Sequence, residues 1–367
     1  MIELSFKPYL RDGIDVYIND KDKTVVFVFL STRERIQLNV DDYLVLLLPQ
    51  MDGKNTIKDL TGLSSNANER NIVSFITYLV EKGVLTDSDW FDKLKFSKEY
   101  KARLEKQIYF LMDVTSSIEE AYQVQNKIKN TSVALWGVGA IGSWVLIELL
   151  QMGFEKISIF DFDKVNESDI SRHGFFSKEY IDIPKVEAYQ RIGNKINPSA
   201  SITSIEIPLN TETDLESYLN DVELVINSAD EPYIGYTSIS LSRYCIKNNK
   251  LLFVTGGFDA HLASLGEMIV PFKTPCSDCY NNYFKKSLKD WKPVNHVITN
   301  RDKGIGGLVS LNIFSASTAM LSILQYFISP STFLSRSSGR GEFKFDNYSI
   351  DSFTVKKDPN CEVCREQ

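Results

Sequence analysis

The sequence predicts a chain of the α/β class, a doubly wound and mostly parallel sheet preceded by a small α+β unit, and two patterns carry that expectation. From residue 131 onward apolar strand runs alternate with helical runs: VALWGVG, a helix to Met152, KISIFDF, a helix, ASITSIEI, a helix, LVINSAD, a helix, and LLFVTGG. Alternation of this kind makes neighbouring strands parallel, with helices on both faces. Ahead of it, three β-rich runs are followed by three helical ones. A length of 367 residues suits one small and one large domain.

In the first part, IDVYIND, TVVFVFLS and RERIQLN are separated by turn-forming residues and read as a three-strand meander. An apolar helix at DDYLVLLLP, a turn at MDGKN, a short helix at IKDLTG and an amphipathic helix at ERNIVSFITYLVEKG follow. Three strands and three helices predict a winged-helix-like α+β domain over residues 1–88. Residues 89–130, rich in Lys, Glu and Gln, suit helices that connect and brace. Residues 131–367 form the α/β domain.

Composition narrows the function. A hydrophobic content of 43% supplies a core, and 41 basic against 48 acidic side chains, a net charge of −7, argue against a general grip on nucleic acid. The N-terminal MIELSFKPYLRDG resembles no targeting segment, and runs such as VLLL, LVIN and LLFV are too short to cross a bilayer, so a cytoplasmic location with no membrane partner is expected. Five cysteines are too few and too clustered for a disulfide framework.

Gly137, Gly139 and Gly142 form a GxGxxG run that leaves the apolar strand VALW and opens the helix SWVLIELL. Such glycines permit a tight turn and a close backbone approach, and the helix start presents free N–H groups to a phosphate. Asp161 closes the next strand at the separation where a carboxylate reaches ribose hydroxyls. A Rossmann-like core that binds an adenine nucleotide follows. These groups serve NAD equally well, so the glycines leave redox chemistry and adenylation both open.

The run Asp161-Phe-Asp163-Lys-Val-Asn-Glu-Ser168-Asp169-Ile-Ser-Arg172-His173, then Lys185, then Ser228-Ala-Asp230, resembles the ThiF family of ubiquitin-activating-type enzymes, whose second strand ends in DxDxVxxSNLxRQ. The resemblance implies ATP and Mg2+ as cofactors. It makes Asp161 the ribose ligand, with Asp163 and Asp169 counted beside it at the nucleotide, Arg172 and Lys185 phosphate clamps, and Asp230 the acid that holds magnesium. A carboxylate attacking the α-phosphate is already ionised at neutral pH, so catalysis reduces to positioning and to neutralising charge. Surface salt bridges and a helix cap are the plainer readings of Arg172, Lys185 and Asp230. Asp169 stands where the family has Asn, and His173 where it has Gln. Upstream, Arg103-Leu-Glu-Lys106-Gln107-Ile108 resembles the family's RYxRQI helix, which reaches into the partner's ATP site and implies a homodimer. Lys106 keeps the charge of the second arginine without its bidentate fork.

Cys276-x-x-Cys279 and Cys361-x-x-Cys364 match the paired zinc knuckles of the same family. Four thiolates suit a closed tetrahedral Zn2+, hence a structural zinc site, with a redox pair as the alternative. Cys245, in a predicted helix, reads as a buried apolar residue. The stretch from Asn281 to Lys303 contains no cysteine, which fits activation without a protein thioester on that loop. Its Lys285, Lys286, Lys289, Lys292, Arg301 and Lys303 suit either an acidic substrate segment or water.

Residues 1–88 resemble the PqqD-like precursor-peptide recognition domain of enzymes that modify ribosomally made peptides, in which a leader peptide adds as a strand beside the meander. Together the two resemblances point to the microcin C and pantocin A maturation enzymes. They imply adenylation of a carboxyl group on a precursor peptide, ending in a nucleotide-peptide linkage or in cyclisation with loss of AMP. An activator of a ubiquitin-like sulfur carrier, a non-catalytic peptide-delivery partner and a nicotinamide oxidoreductase are the competing expectations.

Overall fold

The computed structural model describes residues 2–19, 24–63, 68–115, 117–256, 258–259, 262–287, 306–336 and 339–365. It divides into two compact units, residues 1–123 and 124–367.

In the first unit β1 (Pro8–Leu10) is followed by the meander β2 (Ile14–Asn19), β3 (Thr24–Phe29) and β4 (Arg35–Asn39). Its register pairs Ile14 with Phe29 and Thr24 with Asn39. Helices α1 (Asp42–Leu47), α2 (Ile57–Gly62) and α3 (Glu69–Glu81) come next. A reciprocal capping box between Thr56 and Asp59 starts α2, satisfying two otherwise free donors. On α3 the buried Ile72, Phe75, Ile76 and Leu79 fall at i, i+3, i+4 and i+7, a single helix face. That face joins Val25, Phe27, Leu44, Ile57 and Leu60 in one core. Strand β5 (Leu85–Asp87) returns to pair with β1, a contact of three residues that the sequence pattern did not reveal. Helices α4 (Trp90–Lys93), α5 (Lys98–Val114) and α6 (Ile118–Asn130) complete this stretch, and the division between the units falls within α6.

The second unit begins with β6 (Ser132–Trp136), α7 (Gly142–Met152), β7 (Lys156–Phe160), α8 (Lys185–Ile196) and β8 (Ser201–Ile205). It continues with α9 (Leu215–Leu219), β9 (Leu224–Asn227), α10 (Ile234–Lys247) and β10 (Leu251–Val254), then the short strands β11 (Phe258–Asp259), β12 (Leu262–Ser264) and β13 (Glu267–Ile269). Last come α11 (Ser277–Ser287), α12 (Val309–Ile328), α13 (Pro330–Ser335), β14 (Gly339–Lys344) and β15 (Ser349–Thr354).

The main sheet has the order β13-β10-β9-β6-β7-β8 and is parallel except for β13. The chain winds outward from β6 through β7 to β8, then crosses over to β9 and β10. The reversal leaves a crevice beyond the carboxyl ends of β6 and β9, the place where ligands bind in open sheets of this kind. Ala134 and Trp136 join Leu219 of α9, Leu241 and Ile246 of α10 in one apolar cluster. They alternate along β6 with Val133 and Leu135, which turn to the opposite face. A second, antiparallel sheet has the order β11-β12-β14-β15.

Helix α12 corrects one expectation. It is long and apolar enough to cross a bilayer, although half of its most apolar window is buried within the fold, where it packs on α7 through Ser317 Oγ, which donates to Glu148 Oε1 at 2.7 Å. Interspersed Ser, Thr and Asn residues break its apolar run without adding any charge, which hid its length in the sequence.

Candidate nucleotide site and cysteine cluster

A cavity of about 320 Å³ opens at the crevice. Its walls include Gly137, Gly139, Ala140 and Ile141 from the turn after β6, Asp161 and Asp163 after β7, Arg172 and His173, Lys185 at the start of α8, and Ser228, Ala229 and Asp230 after β9. Trp136 and Phe160, stacked at 4.1 Å between ring centroids, form an apolar wall with Ile207 and Leu209.

The glycines have separable duties. Gly137 has φ +81°, and a Cβ there would stand 2.7 Å from the Ala229 nitrogen; at Gly142 it would stand 2.0 Å from the Gly137 carbonyl oxygen. Both are required by the protein's own packing. A Cβ on Gly139 meets nothing within 4 Å, so the space it leaves belongs to the cavity.

Asp161 spans the loop: Val138 N–H donates to its Oδ2 and Asp163 N–H to its Oδ1, each at 2.9 Å. Burial raises its pKa above the ordinary carboxylate value, an effect opposed by the charge of Lys185. Lys185, itself buried, places Nζ 2.8 Å from Asp163 Oδ2 and 3.9 Å from Asp169 Oδ2. Asp169 is fully buried; it accepts from Asn166 N–H at 3.1 Å and from Arg172 Nη2 at 2.9 Å. It is therefore the anion around which Arg172 and Lys185 are arranged, a role a neutral Asn would not fill in the same way.

His173 packs under this group, stacked on Phe176 at 5.3 Å. Its Nδ1 lies 3.1 Å from the Asp169 carbonyl oxygen, which can only accept, so Nδ1 carries the proton. Nε2 is buried with no hydrogen-bond partner among the described residues. Burial first, with Lys185 and Arg172 adding to it against the pull of Asp169, pushes the imidazole down to about 4 and keeps it neutral at physiological pH.

Asp230 is exposed at the cavity wall. Its turn is held by Asn227, fully buried, whose Nδ2 donates to Thr237 Oγ1 and Ser238 Oγ at 3.0 Å and whose Oδ1 accepts from Ala229 N–H at 3.2 Å. Sequence reasoning missed Asn227, which it read only as the end of a strand. Arg103 and Lys106 stand on α5 in the first unit and do not line this cavity. Arg103 lies over the Tyr100 ring, and the Lys106 side chain is exposed.

The four cysteines converge. Cys276, Cys279, Cys361 and Cys364 are buried, with their sulfurs all within 4.8 Å of one another. The closest separations are 3.9 Å for Cys276–Cys279, 3.6 Å for Cys276–Cys361 and 3.5 Å for Cys279–Cys364. A tetrahedron of zinc–sulfur bonds of about 2.3 Å puts its sulfurs about 3.8 Å apart, so the cluster fits that ion. Asp358 N–H donates to Cys279 Sγ at 3.4 Å, a bond that favours a thiolate. Cys245 is fully buried apart from this cluster, and burial pushes its thiol up to about 12. Lys285 and Lys286 lie in the last turn of α11; Lys289, Lys292, Arg301 and Lys303 fall outside the described residues.

A doubly wound sheet with a glycine turn at its switch point, ringed by Asp161, Arg172 and Lys185, defines a nucleotide-binding protein of the α/β class. The model of the ThiF family matches residues 113–363, and the chain belongs to that family. Adenylyltransferase and sulfurtransferase UBA4 of Kluyveromyces lactis is 31% identical over 117 residues, 32% of this chain and 26% of that protein. Ubiquitin-like modifier-activating enzyme 5 of Aedes aegypti is 26% identical over 171 residues, 47% of this chain and 37% of that protein. The chain thus spans only a quarter to about a third of these curated relatives. Among solved structures, E. coli MccB with MccA-N7isoASN superposes with a TM-score of 0.70 at 18% identity, covering 98% of this chain and 99% of that one. PaaA superposes with a TM-score of 0.70 at 16% identity, covering 95% and 100%. At such identities the likeness concerns the fold.

Proposed function

We propose that this chain is an ATP-dependent adenylating enzyme that activates a carboxyl group on a ribosomally made precursor peptide. The observation that carries the reading is the meeting of the Gly139 opening, Asp161, Arg172, Lys185 and Asp230 around one cavity at the switch point. The substrate carboxylate attacks the α-phosphorus of ATP; the new oxygen–phosphorus bond forms as the bond to the β-phosphate breaks, and pyrophosphate leaves. Arg172 and Lys185 neutralise the developing charge, Asp161 orients the ribose, and Asp230 would hold the magnesium that accompanies the triphosphate. A nitrogen of the same peptide then attacks the acyl carbon, closing a ring as the acyl–oxygen bond breaks and AMP leaves; a nucleotide-peptide linkage would require that nitrogen next to attack the α-phosphorus of a second ATP and expel pyrophosphate. The cysteine cluster would hold a structural zinc, and Arg103 and Lys106 would serve the site of a second copy in a homodimer.

Residues 1–88 are taken as the leader-binding domain, 89–130 as the brace and 131–367 as the adenylation domain of a cytosolic enzyme. Solved structures of MccB with ATP and with N-formylated MccA, on a fold that this chain shares over nearly its whole length, support a peptide substrate. The similarity to UBA4 and to ubiquitin-like modifier-activating enzyme 5 favours a second reading, activation of a ubiquitin-like carrier. Pyrophosphate release from ATP and magnesium, measured with a short ribosomal precursor peptide, with a ubiquitin-like carrier and with neither, separates them. Peptide-dependent release that is lost in Asp230→Ala is expected. Release driven by a ubiquitin-like carrier instead supports the second reading, and no release with either makes the chain a delivery partner.

A further inference from the structure

Asp230 stands at the wall of the nucleotide cavity, and among the described residues no side chain holds its carboxylate, so that group is aimed by the main chain that carries it. The main chain is gripped at the preceding residue, Ala229, from both sides. Asn227 Oδ1 accepts from Ala229 N–H at 3.2 Å, and Thr237 Oγ1, on α10, donates to Ala229 O at 2.6 Å. Asn227 and Thr237 are both fully buried, and Nδ2 of the one lies 3.0 Å from Oγ1 of the other. The three bonds close a ring through the turn.

The direction of each hydrogen follows from what the groups can do. Ala229 N–H only donates, so the amide atom beside it is Oδ1, and Nδ2 faces the hydroxyls of Thr237 and Ser238. Thr237 therefore accepts from Asn227. Its single hydrogen goes to Ala229 O, which is closer than the 3.0 Å to Ile234 O in its own helix. Behind the ring, Thr255 N–H and Oγ1 donate to Asn227 O at 3.0 and 3.2 Å, and Ser228 N–H donates to Trp136 O at 2.7 Å. The turn is thus fixed as far as Ala229, and Asp230 is the first exposed residue beyond it.

Ala229 is only half-buried, at the edge of a cavity where water could satisfy its polar groups. A buried amide and hydroxyl hold them in one direction instead, as suits a peptide unit that carries a functional side chain. We propose that Asn227 and Thr237 are positioning residues: through Ala229 they direct the Asp230 carboxylate toward the magnesium of the bound triphosphate, an assignment that rests on the adenylation reading. Groups that orient a metal's ligand typically govern about 10–100-fold in affinity or activity.

The test reads metal-dependent nucleotide binding by the full chain and needs no turnover. Affinity for α,β-methylene ATP is measured by titration calorimetry with magnesium and again with EDTA, and the ratio reports what the metal adds. The parent is expected to show a gain with magnesium that Asp230→Ala loses. Thr237→Val, which keeps the shape and removes the hydroxyl, is expected to lose most of that gain, about 10-fold in affinity, with binding in EDTA changed by less than about 2-fold. Asn227→Asp offers no hydrogen to Thr237 and draws that hydroxyl's hydrogen off Ala229 O, so the same loss is expected. Thr237→Ser restores the hydroxyl and should recover the gain. Added to Asp230→Ala, Thr237→Val should change nothing further. Thermal melting identifies a variant that does not fold; if Thr237→Val is one, Asn227→Asp decides. An undiminished gain in either variant, no recovery in Thr237→Ser, an equal loss with and without metal, or a further loss beyond Asp230→Ala overturns the assignment. So does a parent that binds equally in magnesium and EDTA, or an Asp230→Ala that keeps the gain. Failure of the adenylation reading would appear separately, as absent pyrophosphate release.

Discussion

Lys185→Met keeps most of the aliphatic stem and removes the ammonium, so it separates what the cation does for the fold from what it does for the nucleotide. The buried carboxylate of Asp169 lies 3.9 Å from Nζ, which at an effective dielectric of about 20 is a gross attraction of about 4 kcal/mol. Arg172 remains on Asp169 at 2.9 Å, and Asp163, which is half exposed, returns to water at little cost. The net loss is therefore expected below the full cost of an unpaired buried charge, at about 2–3 kcal/mol. For a domain of this size that lowers the melting temperature by roughly 5–10 °C. Pyrophosphate release should fall on the order of 10²–10³-fold, the effect of removing one preorganised charge from a transition state. The control is Lys185→Met combined with Asp169→Asn, in which the orphaned carboxylate becomes an amide. Thermal unfolding should recover at least half of the lost stability while turnover stays low. Recovery of turnover together with stability would show that Lys185 acts only as a structural partner of Asp169, and the clamp assignment would fail.

His173 is depressed to about 4 in the folded protein, so the unfolded chain binds more protons between about pH 6.5 and 4. The stability this neutral imidazole protects is present above about pH 6.5 and lost as the pH falls through that window, by up to roughly 3 kcal/mol. Urea unfolding of His173→Gln across the window should show a correspondingly shallower decline. Gly139→Ala should melt with the parent but lose nucleotide affinity by titration calorimetry, because its methyl enters open cavity. Gly137→Ala, with φ +81° and a backbone clash, should itself lose about 2 kcal/mol or more of stability in thermal unfolding. Cys361→Ser should purify with less zinc by atomic absorption and unfold at lower urea, since a structural ion's binding energy is folding energy.

Much of the second unit was legible because each strand–helix–strand step is local. The glycine turn, Asp161 at the next strand end and Lys185 at a helix start all lie next to the elements that carry them. The cysteine pairs were legible because their spacing is itself the chemistry. Other features were not. Strands β12 and β13 are three residues long, too short for any period to register, and β14 pairs with β12 from far along the chain. Asp169 was placed at the nucleotide by the family resemblance alone, in the position of its Asn; its burial depends on the fold of the 166–173 segment beneath Lys185.

Local pattern was thus enough for the alternation of strands and helices, the glycine turn and the pairing of the cysteines, since backbone preference and side-chain chemistry act over a few residues. Long-range packing set the rest. It brought Asp169 between two cations and held His173 neutral in the core. Charges acquire these properties only when a particular neighbour and a loss of water arrive together, and both come from parts of the chain that the sequence keeps far apart.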